Sequence, residues 1–157
     1  MKYYQMPFYL SLPPGEQVTS RGFVLNDEPN IPVGSYSFEE WYCPNPACDC
    51  RSVLLYVFAR DQHDYIAQIR VPLGADRLPP FLEPNISQVP YAQAVLKLLT
   101  ENINTDPEYL QRLCDHYKHV KTVAADPTHP AFPTITHWAK TGKSLPKTVP
   151  KHRRKKR

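Results

Sequence analysis

Apolar and polar positions are patterned most clearly between Ser52 and Val71. Val53, Leu55 and Val57 fall on one side of an extended chain, and Leu54, Tyr56 and Phe58 on the other. Both sides are apolar, so Ser52 to Ala59 is expected to form a central strand. Tyr65, Ala67 and Ile69 alternate through a second strand, Asp64 to Val71, and the polar Arg60-Asp61-Gln62-His63 between them has hairpin length. Upstream, Tyr36, Phe38 and Glu40 alternate with polar partners and predict a strand over 35–42. The first 35 residues interleave Pro7, Pro13, Pro14, Pro29 and Pro32 with the apolar pieces Phe8-Tyr9-Leu10 and Phe23-Val24-Leu25, which suggests short strands joined by turns.

The period changes in the second half. Pro79, Pro80, Pro84 and Pro90 make a stiff connection of 78–90. Ala92, Val95, Leu96, Leu99 and Ile103 then follow helical spacing, predicting an amphipathic helix over 90–104. Thr105 with Glu108 fits a capping box, Pro107 suits a first helical turn, and Asp106 favours the positive helix end, so a second helix is expected to run to about Val120. Pro127, Pro130 and Pro133 predict an irregular arm through Trp138. Strands first and helices after give an α+β class: an antiparallel sheet with two C-terminal helices packed on it. The expected division is a metal-site domain of 1–125, a proline-rich arm of 126–139 and a disordered basic tail of 140–157.

With 157 residues there is room for one core, and 18 prolines disfavour long uninterrupted helices. The longest apolar run, Val53 to Ala59, is far shorter than the roughly 20 residues that cross a bilayer. The opening Met-Lys-Tyr-Tyr-Gln lacks the apolar core of a signal peptide, so a cytoplasmic chain with no membrane partner is expected.

Charge changes this picture. Nine of the 19 Lys and Arg residues lie between Lys140 and Arg157, while the last acidic residue is Asp126. Residues 1–139 are therefore net acidic, and the overall charge of +4 belongs to the tail. Lys151, Arg153, Arg154, Lys155, Lys156 and Arg157 are candidates for holding nucleic acid by salt-sensitive phosphate contacts, or they simply solubilise the chain end. Trp41, Tyr42 and Trp138 are candidates for stacking on bases, or for shielding a metal loop from water.

The strongest chemical signal is Tyr-Cys-Pro-Asn-Pro-Ala-Cys-Asp-Cys-Arg, which gathers Cys43, Cys48 and Cys50 into eight residues. Zinc takes four tetrahedral ligands, mostly thiolates and imidazoles. The Pro44-Asn45-Pro46 turn can bring Cys43 back toward Cys48, and residues two apart in an extended segment share a side, so Cys48 and Cys50 face one ion while Asp49 faces away. Disulfide or redox roles carry less weight. No secretory signal points to an oxidising compartment, and redox pairs favour Cys-x-x-Cys spacing. For the fourth ligand the second helix offers Cys114, His116 and His119; Cys114 and His116 lie roughly 160° apart about the axis and are not expected to share an ion.

The run Tyr36 to Cys43, the element Cys48-Asp49-Cys50-Arg51, Pro80-Phe81-Leu82-Glu83-Pro84 and His116-Tyr117 resemble, in order, a family of small uncharacterised bacterial proteins sometimes found beside SEC-C metal-binding motifs. The resemblance spans roughly residues 35–120 and implies a zinc-type site on Cys43, Cys48, Cys50 and His116, with no reaction attached. A terminal SEC-C cluster is missing here, so nothing carried by that motif transfers. The expected function is a non-enzymatic structural-zinc domain acting as an interaction or adaptor module for an unidentified protein partner. The alternative is a nucleic-acid-associated zinc protein using its basic tail.

Overall fold

The computed structural model describes residues 3–18 and 20–146. Six antiparallel strands, β1 (Met6–Pro7), β2 (Arg21–Leu25), β3 (Gly34–Tyr42), β4 (Ser52–Ala59), β5 (Ala67–Pro72) and β6 (Phe81–Leu82), precede three helices, α1 (Ala92–Thr105), α2 (Pro107–Ala124) and α3 (Phe132–Thr141). The expected α+β order is thus present, with one more helix than the periodicity predicts. The basic residues from Lys147 onward, and the disorder expected of them, lie outside the described residues.

The sheet runs β1-β3-β4-β5-β6, and β2 shares the outer edge of β3 with β1. Arg21–Leu25 pairs with the first half of β3, and Met6–Pro7 pairs with Trp41 and Tyr42 at its far end. In the centre, Glu40 lies opposite Leu55, which lies opposite Ile69. Because side chains alternate across a strand, this register puts Phe38, Glu40, Tyr42, Val53, Leu55, Val57, Ala67, Ile69 and Val71 on one face. Apart from Glu40, these residues belong to the core cluster that also holds Val95 and Leu99 of α1 and Leu113 and Val120 of α2. Burial of this apolar surface is the main stabilising term.

Several local expectations change. Phe8–Ser11 forms a 3₁₀ turn and not a strand, with the Ser11 hydroxyl donating to the Phe8 carbonyl. The second hairpin strand begins at Ala67, because Asp61–Tyr65 are needed for a longer connection. Within the proline-rich connection, Phe81–Leu82 pairs with Ile69 and Arg70.

The capping box does not form. Asp106 is the N-cap of α2, its carboxylate accepting from the Tyr109 amide, while the Thr105 hydroxyl donates back to the Glu101 carbonyl. Asp106 also meets Arg21 of β2 at 2.7 Å, which fastens the sheet edge to the junction of α1 and α2.

The expected irregular arm is α3, preceded by turns at 126–131. Pro133 is compatible because it sits in the first turn, where its missing amide hydrogen has no helical partner to lose. Ile135 and Ala139 are buried, and the Trp138 indole donates to the Gln5 carbonyl at 2.8 Å. Gly142 ends α3 in the left-handed region at φ 66°, where a side chain is strained and a Cβ would meet the Tyr4 ring at 3.0 Å. No helix among the described residues is long and apolar enough to cross a membrane.

Candidate metal centre

The β3–β4 connection, residues 43–51, carries all three motif cysteines. Their sulfurs lie within 4.8 Å of one another. Cys43 is buried at the end of β3, Cys48 is half-buried, and Cys50 is exposed; all are free thiols.

The turn has a local cause. The Asn45 side-chain oxygen accepts from the Ala47 amide at 3.0 Å, and its backbone carbonyl accepts from the Cys48 amide at 3.2 Å. Asparagine between two prolines supplies this turn because its short amide imitates a backbone acceptor. Arg51 closes the loop in the left-handed region at φ 41°, a costly conformation for a non-glycine residue. Two bonds hold it there: its amide donates to the Tyr117 hydroxyl oxygen at 3.2 Å, and its guanidinium donates to Asp49 at 2.7 Å.

From the helix side, α2 presents Tyr117 and Lys121, one turn apart. The Tyr117 oxygen is 3.9 Å from the Cys50 sulfur. The Lys121 ammonium donates to the Asn45 carbonyl at 2.6 Å and lies 5.3 Å from the Tyr117 ring centroid. The Cys43 thiol donates to Cys50, which pulls the Cys50 thiol down to about 5, with the Lys121 charge and bonds from Cys48 and Tyr117 assisting against burial. Cys43 moves the other way, because its thiol is held by that bond and by burial. A thiolate is the ligating form of cysteine, and the thiol most easily ionised in the loop, Cys50, is favoured in that form by the Lys121 charge.

The other candidates go elsewhere. Among the described residues, no histidine, carboxylate or further cysteine joins the triad at the same spacing. His116 turns toward Glu40, with Nδ1 2.6 Å from Oε1, and stacks on Phe8 at 3.9 Å between centroids. His119 meets the Ser11 carbonyl through Nε2 at 3.2 Å. Cys114 lines a cavity of about 640 Å³ between the 72–80 segment and the helices α1 and α2. Neither Cys114 nor His116 stands with the triad.

Tyr117 and Lys121 were not singled out by spacing arguments as site residues. The available signal was their i, i+4 relation on α2, but only the docking of the helix against the loop shows which loop that stripe meets.

The molecule is a small α+β domain with a cysteine cluster able to hold a metal ion. No family model, curated protein or solved structure matches the chain. The motif resemblance therefore contributes the cysteine triad and no family membership.

Proposed function

We propose that Cys43, Cys48 and Cys50 hold a structural zinc ion that clips the β3–β4 loop to α2, in a non-enzymatic interaction or adaptor module. The observation that carries this reading is the convergence of three sulfurs within 4.8 Å, from a motif spanning only eight residues. Three soft thiolates suit zinc, with metal–sulfur distances of roughly 2.3 Å. A divalent ion with three thiolates carries one net negative charge, and the Lys121 ammonium offsets it.

Tyr117 is the fourth donor in this reading, bound as the neutral phenol, whose proton burial holds more tightly than usual. In a tetrahedron with zinc–sulfur bonds of roughly 2.3 Å and a zinc–oxygen bond of roughly 2.1 Å, sulfur and oxygen stand about 3.6 Å apart. The Tyr117 oxygen lies 3.9 Å from the Cys50 sulfur, close to that separation. Four protein donors leave no position for water, which distinguishes a structural site from a hydrolytic one.

Elemental analysis of protein purified under reducing conditions without added metal tests the assignment. About one zinc per chain is expected, lost in Cys48→Ser, weakened in Tyr117→Phe, and retained in Cys114→Ser and His116→Ala. Absence of stoichiometric metal overturns it.

A further inference from the structure

The three loop thiols differ in what they meet. Cys43 is buried at the end of β3, Cys48 is half-buried and Cys50 is exposed. Cys50 is also where the cluster joins: the Cys43 and Cys48 thiols both bond to its sulfur, and the Tyr117 oxygen lies 3.9 Å away. The fourth cysteine, Cys114, stands apart on the wall of the cavity beside α1 and α2. One sulfur of the cluster thus faces solvent while a partner it touches is shielded from it.

We propose that Cys50 is a site of oxidation by hydrogen peroxide, that Cys43 closes the oxidised sulfur into a Cys43–Cys50 disulfide, and that this bridge releases the metal ion; the release rests on the zinc reading above. In the first step the Cys50 thiolate attacks one peroxide oxygen. A sulfur–oxygen bond forms, the oxygen–oxygen bond breaks, and hydroxide leaves. Sulfur gives up an electron pair and becomes a sulfenic acid, and the peroxide is reduced. In the second step the Cys43 thiolate attacks the Cys50 sulfur. The disulfide bond forms, the sulfur–oxygen bond breaks, and a further hydroxide leaves. Solvent protonates both hydroxides, and no other oxidant is consumed.

Geometry makes Cys43 the resolving partner. Only one residue separates Cys48 from Cys50, and a bridge between them closes a small, strained ring. Cys43 is reached through the Pro44-Asn45-Pro46 turn, whose Asn45 bonds already fold the chain back so that the three sulfurs lie within 4.8 Å. It directly follows β3, and Cys50 stands just before β4, so the bridge closes the base of the loop where paired strands already hold its ends together. A disulfide sulfur is no longer a thiolate, the ligating form. Cys48 and Tyr117 are then too few donors to retain the ion. The loop stays on α2 through the Lys121–Asn45 and Tyr117–Arg51 bonds alone, so its seating on the helix depends on oxidant.

The test takes the reduced full chain, its zinc content measured first, and adds a modest excess of hydrogen peroxide. A chromogenic zinc indicator follows release, and peptide mass spectrometry after alkylation of free thiols maps the bridge. About one zinc per chain is expected to appear in step with the Cys43–Cys50 disulfide, with Cys114 still free to alkylate. A dithiol reductant and added zinc should restore the starting state, which oxidation beyond the sulfenic acid would not allow. Cys48→Ser should form the same bridge without metal, and Cys50→Ser should form none. Thermal melts show that each variant is folded, and the wild-type map needs no substitution. Zinc retained after peroxide, a first bridge through Cys48, or oxidation of Cys114 ahead of the cluster would overturn this inference and leave the zinc reading standing. Reduced protein that never held zinc would overturn that reading, and the release with it.

Discussion

Buried Glu40 pairs with half-buried His116 at 2.6 Å, joining the middle of β3 to the middle of α2. Glu40 is 4% exposed and also receives the Tyr42 hydroxyl at 2.7 Å and the Arg112 guanidinium at 3.3 Å. The Tyr42 hydroxyl oxygen lies 3.2 Å from the Leu113 carbonyl, so one small network ties sheet to helix. His116 is thereby committed to the core side of α2, with Phe8 stacked on its ring. Removing the carboxylate in Glu40→Ala strands its partners, but Arg112 and His116 are partly exposed and regain some water. A loss of about 2 kcal/mol is expected in urea unfolding; no loss would mean that the network is incidental.

Stability should also fall in acid for the same reason. Burial pushes the Glu40 carboxyl up, but the His116 bond and charge, the Tyr42 hydroxyl and Arg112 together outweigh it and hold the group below its ordinary value of 4.5. A carboxyl depressed in the folded state contributes fully above its unfolded value and loses that contribution as pH falls through the folded one. The stability gap between wild type and Glu40→Gln should therefore be widest above pH 5 and close as the pH is lowered below the ordinary carboxylate value. A gap that stays constant through this range would show that the ionised carboxylate contributes nothing.

Metal removal has a separate signature. Zinc that links a loop to a distant helix contributes its binding energy to folding. A thiol-compatible chelator is expected to lower the wild-type Tm by on the order of 10 °C. Cys48→Ser should start from the lower value and be indifferent to chelator. Calorimetry of the two proteins with and without chelator checks this, and an equal response in both would place the metal elsewhere.

The third helix is part of the core. Ile135 is 2% exposed and belongs to the main cluster, so Ile135→Ala should cost about 3 kcal/mol in chemical denaturation. A change of only a few tenths would mean that α3 rests on the body as a loose arm.

How much of this was legible beforehand depended on the range of the forces involved. Alternation from Val53 to Phe58 specified β4 to the residue, because both faces of a central strand are apolar and the pattern is local. The helical stripe of Ala92, Val95, Leu96, Leu99 and Ile103 was equally local; four of the five are buried and Leu96 is half-buried. The α3 segment was misread because three prolines dominate its approach; Pro133 is harmless in a first turn, and that is apparent only once the start of the helix is known. Thr105 lost the cap to Asp106 because the carboxylate also serves Arg21, which is 85 residues away in the chain.

The sequence by itself determined the α+β order, the central hairpin and the three thiols, since strand alternation, helical period and Cys-x4-Cys-x-Cys spacing act over a few residues. Tertiary structure alone decided what meets those thiols. The rotation and height of α2 against the sheet bring Tyr117 and Lys121 to the cysteine loop and turn His116 to Glu40. That rotation is set by packing Leu113 and Val120 into the core, a long-range balance of burial that no local spacing encodes.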